Sequence, residues 1–299
     1  MKKVSVLKLI LVSVLTLSLM AMYSCQKGGE KGEGQEEKQE DREVTILYPN
    51  WAEGIAFTHL AKAALEDKGI KADVKAIEPG PIYASLAKGD ADFFMDAWLP
   101  NTHADYWEKY GDKLEKIGES FSGGTTGLVV PQYVEVNSIA ELNDNVDKFN
   151  GKIYGIGSGA GIHANTDKVI EAYGLDYEQV TSSGSAMMAA LQKAYNKQEP
   201  VIVTGWKPHF KWANFDLKYL EDPKGIYPKD VCAIVTRKGF EADYPEITSF
   251  LKSFNMKEMQ LYDLMGKIKE SDDTYAAAQE WYNSHKVLVE SWMPESWTK

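Results

Sequence analysis

The stretch VTILYPNWAEGIAFTHLAKAALEDKGIKADVKAIE, residues 44–78, decides the fold class of this 299-residue chain. It opens with the apolar run VTILYP, continues through the amphipathic segment GIAFTHLAKAALEDKG, and ends in the run ADVKAIE. Short apolar runs that are bounded by turn residues and separated by a helical pattern indicate parallel strands joined by a helix. The stretch therefore predicts an α/β protein.

The same alternation continues along the rest of the chain. The helix PIYASLAKGD and the strand ADFFMDA follow, and NTHADYWEKYGDKL is expected to form a helix that begins at Asn101 or Thr102. TTGLVVP is then predicted to cross out of this unit, and a second set of strands and helices runs from KIYGIG to PVIVTG. DVCAIVTRKGF is predicted to cross back. Two α/β units joined by two crossing strands predict a hinged, two-lobed binding protein.

Three tryptophans share one setting, because each directly follows a predicted strand. Trp51 follows VTILYPN, Trp98 follows DFFMDA, and Trp206 follows PVIVTG. Ligands of open α/β sheets bind at the carboxyl ends of the strands, so we expect the three indoles to meet in one aromatic box. Such a box suits a cation that cannot donate hydrogen bonds, with an attraction of roughly 2 kcal/mol when desolvated. The pattern predicts a site for a quaternary ammonium group.

A glycine-rich segment offers a place for an anion. GIGSGAGIH, residues 155–163, follows the predicted strand KIYGI and opens the helix ANTDKVIEAYG. The free N–H groups and the dipole at a helix start favour a negative charge, and glycine lets the backbone approach a ligand closely. The segment also fits G-x-G-x-x-A, with Asp176 about twenty residues further on, which is the dinucleotide fingerprint in outline. NAD is not normally available to a secreted chain, which argues against a dinucleotide site.

The N-terminal part of the chain differs in composition from the rest. Three lysines flank the start of an apolar stretch that ends near Met22, which is typical of a secretory signal. We expect residues 1–25 to be a lipoprotein signal in which Cys25 is lipidated and becomes the mature N-terminus; an uncleaved membrane anchor is the alternative. Residues 26–42 contain no apolar residue and are expected to form a flexible, charged tether.

The body of the chain is expected to form two lobes, with residues 43–128 and 236–299 in the first and residues 129–235 in the second. The whole chain carries a formal net charge of −11; the first 25 residues hold three lysines and no acid, which leaves about −14 for the remainder. Such a surface repels nucleic acids and anionic lipids. The second cysteine, Cys232, lies in the apolar run VCAIV and is expected to be a buried thiol.

Five segments together resemble a known family. GPIYASLAKGDADFFMDAWLPNTHADYW, GLVVPQYV, GIGSGAGIHANTDK, SSGSAMMAAL and TGWKPHF look like the glycine betaine/proline betaine substrate-binding proteins of bacterial ABC importers. The similarity covers essentially everything after the tether. It implies a two-lobed α/β fold of the periplasmic-binding-protein type (type II) with a hinge between the lobes. It also implies a prism formed by Trp51, Trp98 and Trp206 around the ligand cation, with the ligand carboxylate bound by the N–H groups of Gly161 and Ile162 and by the side chain of His103.

The resemblance and the residue patterns together predict a lipid-anchored, extracytoplasmic receptor. It would capture a betaine by lobe closure and pass it to a membrane permease driven by a separate ATPase, because this chain has no P-loop. We expect a monomer that binds no nucleic acid, metal or other cofactor. The chain has no G-x-S-x-G or H-E-x-x-H motif, so it is not expected to be an enzyme. A choline- or carnitine-specific receptor of the same fold and a secreted hydrolase using Ser158 are the alternatives.

Overall fold

Strands and helices alternate along residues 43–298, the part of the chain that a computed structural model describes. The predicted lipoprotein signal with Cys25 and the predicted tether lie outside these described residues. The strands are β1 (Glu43–Tyr48), β2 (Lys71–Ala76), β3 (Phe93–Leu99), β4 (Leu114–Pro131), β5 (Lys152–Tyr154), β6 (Glu178–Val180), β7 (Val203–Lys207), β8 (Leu217–Tyr219) and β9 (Lys229–Arg237). The helices are α1 (Ala52–Asp67), α2 (Pro79–Lys88), α3 (Ala104–Tyr110), α4 (Gly161–Tyr173), α5 (Gly184–Asn196), α6 (Lys211–Asn214), α7 (Phe240–Asp243), α8 (Pro245–Ser253), α9 (Glu258–Glu270), α10 (Thr274–Ser284) and α11 (Lys286–Glu290).

The strands of the described range form one mixed sheet in which the same local order occurs twice. The sheet order is β2-β1-β3-β9-β4-β7-β5-β6, with β8 beside β4. In the first half β1 lies between its parallel partners β2 and β3, and β9 runs antiparallel to β3. In the second half β5 lies between its parallel partners β6 and β7, and β4 runs antiparallel to β7. The two halves therefore repeat one topology, a repeat that the sequence does not reveal.

Two long strands connect the halves, as the sequence predicts. β4 pairs with β9 from Leu114 to Thr125 and continues beside β7 from Thr125 to Val129. β9 returns the chain to the first half, where it pairs along most of its length with β3. Every residue of β3 is buried, which fits a short apolar run at the centre of a sheet.

Buried side chains form a core for each half and a third cluster that extends across both. One cluster belongs wholly to the second half and includes Leu128, Ile153 and Ile202. The largest cluster joins α1 and the C-terminal helices to side chains of the second half such as Trp206. Helices α7–α11 make up most of the C-terminal segment, and the predicted buried thiol of Cys232 is confirmed. Between residues 43 and 298, no helix combines the length and apolar character needed to cross a membrane.

The start of α3 differs from the sequence prediction. The helix begins at Ala104, with His103 as its N-cap residue, rather than at Asn101 or Thr102. The reason is a competing partner, because the carboxylate of Asp230 accepts the backbone N–H groups of Asn101 and Thr102 at 2.6 and 3.1 Å. These two residues are therefore held in a loop that presents His103 at the head of the helix.

Candidate ligand-binding site

All six residues predicted to contact a ligand border the same cavity, which has a volume of about 250 Å³. Because the six residues come from both halves of the sheet, the cavity lies where the halves meet. Its lining consists of Trp51, Glu53, Trp98, Thr102, His103, Thr126, Ile156, Ala160, Gly161, Ile162 and Trp206.

Aromatic rings form one end of the cavity. The ring centroids of Trp51 and Trp206 are 6.5 Å apart with an interplanar angle of 56°, and those of Trp51 and His103 are 6.0 Å apart at 42°. Trp98 and Trp206 are almost completely buried, whereas Trp51 is half-buried.

The backbone explains why these tryptophans meet. Trp98 and Trp206 are the penultimate residues of β3 and β7, which occupy equivalent places in the two halves of the sheet. Each is followed two residues later by a proline, Pro100 or Pro208, so one W-x-P pattern ends both strands. Trp51 is the N-cap residue of α1. The expectation from strand ends therefore holds for all three positions.

His103 is held as a neutral donor that faces the cavity. Its Nδ1 atom accepts the N–H of Trp98 at 3.1 Å, and the hydroxyl of Tyr83 lies 3.3 Å from the same atom. The proton of a neutral ring therefore resides on Nε2, which is buried and has no hydrogen-bond partner among residues 43–298. Burial lowers the pKa of His103 to about 3, so the ring stays neutral at physiological pH.

The start of α4 forms the wall beside His103. Gly161 and Ile162 are the first two residues of this 13-residue helix, and Ala160 at the N-cap offers no side-chain cap. Backbone N–H groups in a first helical turn have no partner within the helix. Gly161 also contacts the loop of the opposite half: a Cβ atom built on it would lie 2.0 Å from the carbonyl oxygen of Thr102. Nearby, the hydroxyl of Tyr106 donates to the carbonyl of Gly159 at 2.9 Å, so the cleft is closed.

A group of buried charged residues lies beside the aromatic end, and the sequence analysis missed Glu53 and Lys211 within it. Glu53 lines the cavity and is completely buried. Burial raises the pKa of Glu53 to about 7, against opposing effects of Trp206 and Lys211. Lys211 is also fully buried, and its Nζ atom lies 3.8 Å from the ring centroid of Trp206. A glutamate two residues after Trp51 and a lysine within KPHFKW were the signals available in the sequence.

Three other polar or aromatic residues near the site lie outside the cavity lining. Asp96 is buried near Glu53, and burial raises its pKa well above the ordinary value. Tyr83 is buried behind His103 and orients it. His209 makes an edge contact with Trp206 at 5.0 Å between ring centroids and borders a larger recess of about 1180 Å³ that also reaches Trp51.

Comparisons with known proteins identify the family of this chain. Residues 42–284 match OpuAC, the substrate-binding domain of ABC-type glycine betaine transport systems. The glycine betaine/carnitine transport binding protein GbuC of Listeria monocytogenes is 36% identical over 151 residues. That match covers 49% of this chain and spans only half the length of the Listeria protein.

Two solved structures share the fold over nearly their whole length. The lactococcal OpuAC structure, in a closed-liganded conformation complexed with glycine betaine, has a TM-score of 0.80 and 33% identity and covers 85% of this chain and 100% of its own. A glycine betaine, L-proline-binding protein (ProX) from Borrelia burgdorferi has a TM-score of 0.82 and 33% identity, covering 86% and 98%. The two-lobed, periplasmic-binding-protein-like α/β fold predicted from the sequence is thus confirmed. Because the family match extends over most of the sequence, this chain belongs to the family of substrate-binding domains of ABC-type glycine betaine transport systems.

Proposed function

We propose that this chain is an extracytoplasmic receptor that binds glycine betaine or a closely related betaine and delivers it to the permease and ATPase of an ABC importer. One observation carries the proposal: a single cavity is lined by three tryptophans, by His103, whose buried Nε2 atom has no hydrogen-bond partner among residues 43–298, and by the start of α4. Glycine betaine has the matching chemistry, a trimethylammonium group at one end and a carboxylate at the other.

The aromatic end suits the trimethylammonium group. Its methyl groups spread the positive charge over an apolar sphere that has no N–H to donate, so a site of carbonyls or carboxylates alone would match it poorly. The faces of Trp51, Trp98 and Trp206 supply apolar contact and cation–π attraction together. The half-buried position of Trp51 also leaves this ring able to cover the ligand when the cleft closes.

The other end suits a carboxylate. The Nε2–H group of His103 is a buried donor without a partner among residues 43–298, and the first two residues of α4 line the same cavity. An unpaired buried donor costs roughly 1–3 kcal/mol, a cost that a ligand carboxylate would remove. We propose that His103, Gly161 and Ile162 bind the carboxylate, as the family resemblance implies.

The direct test is a titration of intrinsic tryptophan fluorescence with glycine betaine, proline betaine, carnitine and choline. We expect the emission of Trp51, Trp98 and Trp206 to change as a betaine is added and to reach a plateau when the site is full. Choline should reach half of its effect only at a concentration at least about tenfold higher, a difference of 1.4 kcal/mol in binding free energy. Tighter binding of choline than of any betaine would overturn the substrate assignment in favour of a choline receptor.

A paired set of variants tests the carboxylate end by calorimetry. His103→Ala removes the Nε2 donor and should weaken glycine betaine binding more than choline binding, because choline has a hydroxyl in place of the carboxylate. Tyr83→Phe is the matched control, since the Tyr83 hydroxyl touches only the Nδ1 side of the same ring. Equal losses of both ligands in His103→Ala would remove His103 from carboxylate recognition.

The proposal includes the lobes and their motion. Strand pairing supports a first lobe that contains β1–β3 and a second that contains β5–β7, close to the division 43–128, 236–299 and 129–235. Because β9 pairs with β3 along most of its length, we assign β9 to the first lobe and move the second boundary to its start. Ligand should favour closure, since only the closed cleft offers both ends of the site. Solution scattering should show a smaller radius of gyration with glycine betaine than without it.

The cellular setting follows from the same proposal. Substrate-binding proteins of ABC importers act outside the cytoplasm, and we propose that lipidation of Cys25 holds this one at the membrane as a monomer. Metabolic labelling with a fatty acid analogue should mark the parent protein and not a Cys25→Ser variant.

We also propose that the receptor is not an enzyme, so bound glycine betaine should be recovered chemically unchanged after prolonged incubation.

A further inference from the structure

The ammonium group of Lys211 is buried in the protein at a position that contact with a ligand does not explain. Lys211 opens the short helix α6, and its backbone N–H donates to Nδ1 of His209 at 3.0 Å. The side chain is fully buried, and its Nζ atom has no hydrogen-bond partner within residues 43–298. Its close neighbour is the Trp206 ring, 3.8 Å from Nζ to the centroid. Buried lysines are normally paired, so this cation is held mainly by one aromatic ring.

That ring is shared with the cavity. Trp206 lines the cavity, whereas Lys211 is buried outside the lining. An indole has two π faces, and both attract cations through the same quadrupole. A cation bound inside the cage at a similar distance from the ring would lie roughly 8 Å from Nζ, within one Debye length at physiological salt. The two positive charges would repel each other through a region from which water is excluded.

The surrounding charges come from several elements. Glu53 on α1 is the acidic group whose charge acts on Lys211, and Asp96 on β3 lies next to Glu53. His209, on the segment that precedes α6, and Lys269 on α9 add nearby basic groups, and Cys232 on β9 faces Asp96. The neutral ring of His103 completes the set at the cavity wall. Only Glu53 combines a negative charge with a place in the cavity lining.

We infer that Lys211 sets the affinity of the tryptophan cage for a quaternary ammonium group, by holding one face of Trp206 and placing a second positive charge close to the bound cation. This inference rests on the proposed function and adds a residue that touches no ligand. Lys211 is a positioning and tuning residue: its charge weakens cation binding, and its removal should strengthen it.

A dependence on pH follows from the same arrangement. Burial lowers the pKa of Lys211 to about 7, against the opposing effect of Glu53, and burial raises the pKa of Glu53 to about 7. As the pH rises through this range both groups lose protons, so the net charge of the pair becomes less positive and the pair repels a cation less. Cation affinity should therefore increase between pH 6 and pH 8.5.

The test compares two ligands of the same shape and different charge. Glycine betaine carries the cationic nitrogen, and 3,3-dimethylbutanoate replaces this nitrogen with carbon while keeping the carboxylate. At pH 6 the variant Lys211→Met should bind glycine betaine about tenfold more tightly than the parent protein, 1.4 kcal/mol, without tighter binding of 3,3-dimethylbutanoate. This gain should vanish by pH 8.5. Lys207→Met is the matched control, because Lys207 lies 4.7 Å over the ring of Trp212 instead.

Each outcome decides the inference. An equal gain for both ligands would show that Lys211→Met acts through packing, and an unchanged affinity for glycine betaine at pH 6 would show that the charge is irrelevant; either result overturns it. The parent protein gives an independent measurement, since a ratio of the two affinities that is constant from pH 6 to pH 8.5 also overturns it. Failure of the parent to bind glycine betaine at any pH would instead refute the proposed function itself.

Discussion

Gly161 offers the sharpest perturbation of the closed cleft, because alanine there keeps the backbone N–H and adds only one methyl group. In the closed structure this methyl carbon would lie 2.0 Å from the carbonyl oxygen of Thr102 and 2.6 Å from its Cγ2 atom. Real Cβ atoms essentially never approach other heavy atoms closer than 3.0 Å. Gly161→Ala therefore requires the two lobes to separate at this point before the cleft can close.

The loss can be estimated from the contacts that closure makes. A separation of about 1 Å lengthens the carboxylate hydrogen bonds to the start of α4 and to His103, each worth roughly 1.5–3 kcal/mol for a charged acceptor. Losing the equivalent of one to two such bonds costs about 1.5–6 kcal/mol, so the affinity for glycine betaine should fall at least about tenfold. The open form accommodates the methyl group, so the free energy of unfolding should change little.

Calorimetry of glycine betaine binding and thermal unfolding of the ligand-free variant measure the two quantities. Gly184→Ala is the matched control, because Gly184 is also the first residue of a helix and a Cβ atom there meets nothing within 4 Å. It should bind like the parent protein. Parent-like affinity of Gly161→Ala would mean that the ligand-bound cleft is not the closed arrangement described here.

Three further perturbations probe the cage, the buried histidine and the closure contact. Trp51→Ala should weaken glycine betaine binding at least about tenfold and Trp51→Phe less; equal rescue by Trp51→Leu would show that apolar contact, and not cation–π attraction, holds the ligand. Because the pKa of His103 falls to about 3 on folding, the unfolded chain binds the extra proton between pH 3 and 6.5, so stability should rise with pH there. In urea unfolding, the increase in the free energy of unfolding between pH 4 and pH 7 should be on the order of 3 kcal/mol smaller for His103→Gln than for the parent protein. The same pH dependence in both proteins would contradict the neutral, buried state of His103. Tyr106→Phe removes the hydrogen bond to the carbonyl of Gly159, which is worth about 1 kcal/mol, and should therefore speed ligand release about fivefold in stopped-flow measurements. An unchanged release rate would show that this bond does not hold the cleft closed.

The parts of the site that the sequence predicted are those fixed by local rules. Trp98 and Trp206 follow apolar runs whose strand ends face the ligand cleft, and Gly161 opens a helix after a glycine-rich turn, so position along the chain was sufficient. The family resemblance added the role expected of His103. The start of α3 was wrong by two or three residues because Asp230, more than a hundred residues away, takes the N–H groups of the loop.

Glu53 and Lys211 were missed for a related reason. Glu53 lies in the first turn of α1, where an acidic residue ordinarily indicates only a favourable helix dipole. Lys211 lies in a polar-looking segment, and lysine is usually exposed. Their burial depends on packing between helices and strands that are distant in sequence, which no local pattern encodes. The repeated sheet topology is hidden likewise, because it depends on strand order and not on residue identity.

The interruption of the first lobe by the second has a consequence for the order in which the protein folds. The free edge of β3 finds its partner only when β9, which starts at Lys229, has been synthesised and has returned from the second lobe. Until then one edge of β3, an apolar strand that is completely buried in the folded protein, remains unpaired. Strands of other chains can pair with such an edge, which leads to aggregation. Pairing across such a sequence distance is slow, since loop closure must precede the stabilising contacts. The sheet of the first lobe is therefore complete only once residues 229–237 are available, and the cavity, whose lining comes from both halves, can form only after both have folded.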